Sequence, residues 1–134
     1  MKSRATGTFE VKMSPQTVHD EALGSAVSRL SLEKQFHGDL QATSKGEMLA
    51  SRSVVQGSAG YIALEQVTGT LQGRVGTFVL QHSGTMARGV PQLSVTVVPD
   101  SGTGQLVGLS GNLVINVVDG KHLYDFDYSV ADAE

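Results

Sequence analysis

The sequence predicts an all-β fold, an eight-stranded antiparallel meander closed into a β-barrel. Three observations point there. Sixteen glycines stand against three prolines in 134 residues, in a chain whose Val, Thr and Ser suit pleated strands. Apolar and polar residues alternate with a period of two over most of the length, as on a strand buried on one side. Nearly all the alternating runs meet at short turn signals, so consecutive strands pair antiparallel. Closing such a meander removes its edges. A two-sheet sandwich is the alternative, but it calls for longer crossover connections. No composition shift divides the chain, and residues 1–134 are read as a single domain.

The first strand covers Arg4 to Met13, with Phe9, Val11 and Met13 on one face and Glu10 and Lys12 on the other. Pro15 is expected to end it, because proline donates nothing to a ladder. Ser14-Pro15 resembles an N-cap and first helical position, so Gln16 to Leu23 reads as a short helix or, equally, an irregular loop. The second strand, Val27 to Phe36, places Leu30, Leu32, Lys34 and Phe36 together. His37-Gly38-Asp39 signals a hairpin. The third, Leu40 to Ser51, sets Leu40, Ala42, Ser44, Gly46 and Met48 against Gln41, Thr43, Lys45 and Glu47.

Gln56 to Gly60 breaks the chain before the fourth strand, Tyr61 to Leu71, where Tyr61, Ala63, Glu65 and Val67 share a face. Gln72-Gly73 turns into the fifth, Val75 to Arg88, with Phe78, Leu80 and His82 on one face. A two-residue turn there opposes Val67 to Phe78 and Glu65 to Leu80, which makes Glu65 and His82 diagonal neighbours. Gly89-Val90-Pro91 reads as the next turn, followed by a sixth strand from Gln92 to Val98 that stops at Pro99. Asp100 to Gly104 turns again. The seventh strand, Leu106 to Val118, contains Gly108 and Gly111 and is expected to bend or bulge. Asp119-Gly120 signals a hairpin into the eighth, His122 to Val130, where Tyr124, Phe126 and Tyr128 alternate with Asp125, Asp127 and Ser129.

Composition removes several function classes. Ten Lys and Arg against thirteen Asp and Glu leave a net charge of −3, with no basic run to hold nucleic acid. The absence of cysteine excludes disulfides, thiolate metal sites and cysteine nucleophiles. No apolar run approaches the roughly 20 residues that cross a bilayer as a helix. Met1-Lys2-Ser3-Arg4 has no apolar stretch behind it, so no secretory signal and no membrane partner are expected, and the cytoplasm is the default. Gly108-Leu109-Ser110-Gly111-Asn112 misses the nucleophile-elbow pattern at Asn112, and Gly102-x-Gly104 fails the dinucleotide spacing. Four separated histidines form no ligand set. No cofactor and no metal are expected.

Several stretches resemble a bacterial family of unknown function: KQFHGDLQATSKGEM (Lys34 to Met48), GSAGYIALEQVTGTLQGRVGTFVLQHSGTM (Gly57 to Met86), PQLSVTVVPDSGTGQLVGLSG (Pro91 to Gly111) and DGKHLYDFDY (Asp119 to Tyr128). The likeness lies in the order of turns and glycines. The resemblance implies an allene-oxide-cyclase-like β-barrel around a partly apolar cavity, and a homo-oligomer. It implies no cyclase activity, because no match to the cyclase's catalytic residues is found.

Three titratable groups stand on otherwise apolar faces: Lys34, Glu65 and His82. If those faces line the barrel, the groups are expected to pair with one another or with Tyr61, since an isolated buried charge is costly. Burial in an apolar cavity is expected to raise the pKa of Glu65. Two functions follow. One is a binding module for a small apolar or amphipathic molecule, with Lys34 or His82 anchoring a polar head such as a carboxylate and Phe36, Tyr61, Phe78, Tyr124 and Phe126 walling the cavity. The other is an isomerase or cyclase in which Glu65 or His82 moves a proton. A third, structural reading packs the interior fully, the aromatics as core and the charges as a register-fixing network.

Overall fold

A computed structural model describes residues 2–17 and 26–131 of the chain. Its strands are β1 (Lys2–Gln16), β2 (Ser28–Gly38), β3 (Leu40–Arg52), β4 (Ala59–Leu71), β5 (Arg74–Ala87), β6 (Val90–Val97), β7 (Ser110–Val118) and β8 (Lys121–Ser129). Each pairs antiparallel with the next, and β8 pairs with β1, so the sheet closes into a barrel. The expected hairpins are present. At the β7–β8 turn both central residues have positive φ, 51° at Asp119 and 78° at Gly120, the geometry that two-residue hairpins favour.

Three expectations are corrected. β1 continues through Pro15 to Gln16. Beyond Phe9 it pairs with β2 alone, Pro15 opposite Leu30. Half the N–H groups of such an overhanging edge have no partner, so proline is tolerated there. The turn after β5 is Arg88-Gly89, with φ of 50° and 89°, and Val90 and Pro91 already belong to β6. β7 begins at Ser110. The preceding residues form a 3-10 turn at Gly104–Leu106, and Leu106 and Leu109 plug one end of the barrel. The helix-or-loop segment from Gln16 to Leu23 falls mostly outside the described residues, and Gln16 itself closes β1.

The plug tightens the weakest seam. β6 and β7 share the single ladder pair Thr96–Asn112. The connection between them instead docks on the start of β5: the Thr103 N–H donates to the Thr77 carbonyl, the Thr77 N–H donates to the Thr103 hydroxyl, and the Val79 N–H donates to the Ser101 hydroxyl. Backbone groups that strand pairing leaves open are satisfied by a loop.

The core fills the plugged half. Phe78 and Phe126 stack with centroids 6.0 Å apart, Phe126 and Tyr128 at 5.2 Å, and Phe36 meets Tyr124 edge-on at 5.8 Å. The Tyr124 hydroxyl accepts from the Leu40 N–H and donates to the His37 carbonyl, both at 2.8 Å, and so clamps the β2–β3 hairpin to β8. Phe126, with no exposed surface, is the most enclosed ring. Phe126→Ala should cost about 3–5 kcal/mol in urea denaturation; a loss below about 1 kcal/mol would contradict this packing.

Candidate functional site

Opposed residues of an antiparallel ladder point to the same side, so the registers sort the inner wall into rows. One row runs Leu32–Gly46–Glu65–Leu80–Val97, and the next, farther from the Leu106–Leu109 plug, runs Leu30–Met48–Ala63–His82–Val95. Beyond it lie Ala50, Tyr61, Gly84 and Leu93. The face assignments made for Lys34, Glu65, His82 and Tyr61 therefore stand.

The three titratable groups meet. Lys34 Nζ donates to Glu65 Oε1 at 2.8 Å, and His82 Nε2 lies 2.6 Å from the same oxygen. Ser44 Oγ donates to Oε2 at 2.6 Å. Glu65 and His82 are 1% and 4% exposed. The Lys34 ammonium also sits 4.9 Å from the Phe9 ring centroid and 5.9 Å from that of Phe36, within cation–π range. Close approach of β3 to β4 makes room for this cluster. A Cβ on Gly46 would fall 2.2 Å from the Leu64 carbonyl oxygen and 2.7 Å from Glu65 Cα, so only glycine fits opposite Glu65.

The expected raised pKa of Glu65 is overturned. Burial does push it up, but the His82 hydrogen bond, the Lys34 charge and hydrogen bond and the Ser44 hydroxyl together hold it at about 2. Glu65 is thus ionised and accepts only, which places a proton on His82 Nε2. Tyr61 is pushed above its ordinary value by its own burial and then by the Glu65 charge. Its ring lies across Gly84, where an added Cβ would come within 2.5 Å of it.

Above the cluster the inner wall formed by the described residues is apolar and partly exposed. Met13, Met86 and Leu93 point inward yet are 51%, 43% and 45% exposed, and Leu30, Met48 and Tyr61 are half-buried. The structure does not bring the other named aromatics here: Phe78, Tyr124 and Phe126 belong to the packed half, and Phe36 joins the two regions beneath Lys34. Two participants were missed. Ser44 shares a face of the third strand with Leu40, Ala42, Gly46 and Met48, and that parity was its signal. His122, opposite Phe9 with its ring 5.0 Å away, has the same parity as Tyr124, and that was its available signal.

The outer wall differs. A cleft of about 1040 Å³ runs over β3–β5 between Leu49, Ile62, Leu64 and Gln81, with Arg29, Lys45 and Glu47 at its rim. His37 bonds Glu10 at 2.7 Å, and Asp39 accepts from the Thr6 N–H at 2.9 Å, so both residues serve the hairpin. Among the described residues no group of three or more His, Cys, Asp or Glu could hold a metal, and no helix is long and apolar enough to cross a membrane.

Residues 5–128 match a family model described as protein of unknown function (DUF3224). A crystal structure of a protein with unknown function from the DUF3224 family of Shewanella oneidensis MR-1 is similar at 44% identity and a TM-score of 0.93, over 99% of this chain and 100% of that one. A search of the curated proteins gives no match.

Because Glu65 is held far below its unfolded value of about 4.3, its contribution to stability is complete above that value and is lost as the pH falls toward about 2. Urea denaturation should show about 2 kcal/mol of this contribution gone between about pH 7 and pH 3, a slope that Glu65→Gln removes. At neutral pH Glu65→Gln alone should cost about 3–5 kcal/mol, because it strands the buried Lys34, and the double variant Lys34→Met, Glu65→Gln should recover a large part. Equal losses in the two variants would contradict the pairing.

Proposed function

The chain belongs to the DUF3224 family of proteins of unknown function, and we propose from its site that it binds a small amphipathic molecule in the end of the barrel opposite Leu106 and Leu109. The observation that carries this reading is a buried, ionised hydrogen-bond cluster at the base of an apolar mouth. The apolar body of the ligand would lie against Met13, Leu30, Met48 and Leu93. Its polar group would meet Lys34, His82 and Tyr61. Methionines suit such a wall, because their unbranched chains adapt to varied shapes. Small-molecule sites commonly combine an apolar lining with a few convergent polar groups. A carboxylate held near 2 is a weak base, so the isomerase or cyclase alternative would rest on His82 without Glu65, and binding is preferred.

We also propose that the molecule is a homo-oligomer formed through the outer face of β3–β5. Exposed Ile62, Leu64 and Leu49 stand there beside Lys45 and Glu47, a patch of both signs that can complement itself across a two-fold axis. Light scattering should show a dimer or larger assembly that Ile62→Lys dissociates; a monomeric wild type would remove this proposal.

For the ligand, native mass spectrometry of the purified protein should reveal a retained lipid-like adduct. The neutral dye N-phenyl-1-naphthylamine should brighten on binding. Met48→Asp should abolish the brightening while leaving thermal stability close to wild type. Undiminished dye binding by that variant would mean the mouth is not the site.

A further inference from the structure

We infer that the barrel rim made by the β3–β4 and β5–β6 turns docks on an anionic lipid membrane, with Val54, Val55 and Val90 entering the headgroup layer and Arg52 and Arg88 meeting its phosphates. This surface is separate from the interior site and stands on its own observations.

Apolar side chains are held out in water here. Val54 is fully exposed, and Val90 and Val55 are 63% and 42% exposed. Valine is an unfavourable choice for a turn, where Gly, Asn, Asp and Ser suit the geometry better, and so exposed it adds nothing to the core. Yet the turn is firmly built. The Val55 N–H donates to the Ser53 hydroxyl at 2.8 Å, and the Ser58 N–H to the Val55 carbonyl at 3.1 Å. Two more bonds tie it to the β5–β6 turn. The Gly89 N–H donates to the Gly57 carbonyl at 2.9 Å, and the Arg88 N–H to the Ser58 hydroxyl at 3.0 Å. A Cβ on Gly57 would fall 3.0 Å from the Gly89 nitrogen, so the two turns meet backbone to backbone. Valines far apart in sequence thus share one rim.

Charge selects what covers it. The last rung of the ladder is Arg52–Ala59–Met86–Pro91, and Arg88 follows in the adjoining turn. Both arginines are exposed, and neither Ser51–Gly60 nor Ala87–Pro91 contains an acidic residue. In a chain of net charge −3, this rim is a local departure. Aliphatic tips beside cations, with no acid among them, fit a surface that is negative outside and apolar beneath. A second copy of the same rim would set arginine against arginine, a like-charge contact that disfavours self-association there. The expectation of no membrane partner rested on the lack of a spanning run and a leader, and a surface that dips only into the headgroups needs neither.

Co-sedimentation of the full chain with lipid vesicles tests this. Phosphatidylcholine vesicles containing about 30% phosphatidylglycerol should bind the protein about tenfold more tightly than phosphatidylcholine alone. About 0.5 M NaCl should remove most of that difference. Val54→Asp should weaken binding to the anionic vesicles about tenfold. Arg52→Gln with Arg88→Asn should bring it down to the level of phosphatidylcholine alone. Val54 is fully exposed, and asparagine tolerates the φ of 50° at Arg88, so both variants should melt as the wild type does. No retention on anionic vesicles, equal binding to the two compositions, or binding unchanged by Val54→Asp would each overturn the inference. Dissociation of an oligomer by Val54→Asp, with no vesicle binding by the wild type, would overturn it too and assign the rim to a contact between copies.

Discussion

One carboxylate joins four consecutive strands. Glu65 projects from β4 and accepts from Lys34 on β2, Ser44 on β3 and His82 on β5. Each donor is useful only in a single register, because a slip of one residue turns every side chain to the opposite face. The ladders alone would tolerate small shifts of these long strands; a buried ion held by donors from three neighbours does not. Gly46 is the counterpart on the backbone side, since any side chain there would collide with the strand that carries Glu65.

The barrel is built unevenly around that cluster. One half is closed by the 3-10 turn with Leu106 and Leu109 and filled by Phe78, Phe126 and Tyr128. In the other half β1–β5 run on, and their inward residues are aliphatic and partly exposed. The polar network thus marks the boundary between a packed core and a mouth. An eight-stranded barrel has an interior that side chains can fill or that can hold one ligand, and this one divides the two along its length. Membership of a family of unknown function adds fold and extent to this picture but no activity, so the functional argument stays with the site.

Much of this was legible residue by residue. The period of two placed Lys34 with Leu32 and Phe36, and Glu65 with Ala63 and Val67. The tight turn at Gln72-Gly73 then makes Glu65 and His82 diagonal neighbours, and the ladder has that register. Pro15 misled, because proline's missing donor forbids a central strand and not an overhanging edge. The Gly108 region misled differently. Its apolar spacing at Leu106 and Leu109 suits a buried turn as well as a strand, and local pattern does not separate the two.

The pKa of Glu65 was misread because burial and hydrogen bonding push it in opposite directions, and only the second depends on partners remote in sequence. Alternation and turn chemistry are local, so the sequence by itself determined the strands, their faces and most of their registers. Barrel closure and a pairing among Lys34, Glu65 and His82 were expected, but the register of β8 on β1, the plugging of one end and the arrival of Ser44 with Lys34 and His82 on a single carboxylate were decided by the tertiary structure, because each depends on distances between segments far apart along the chain.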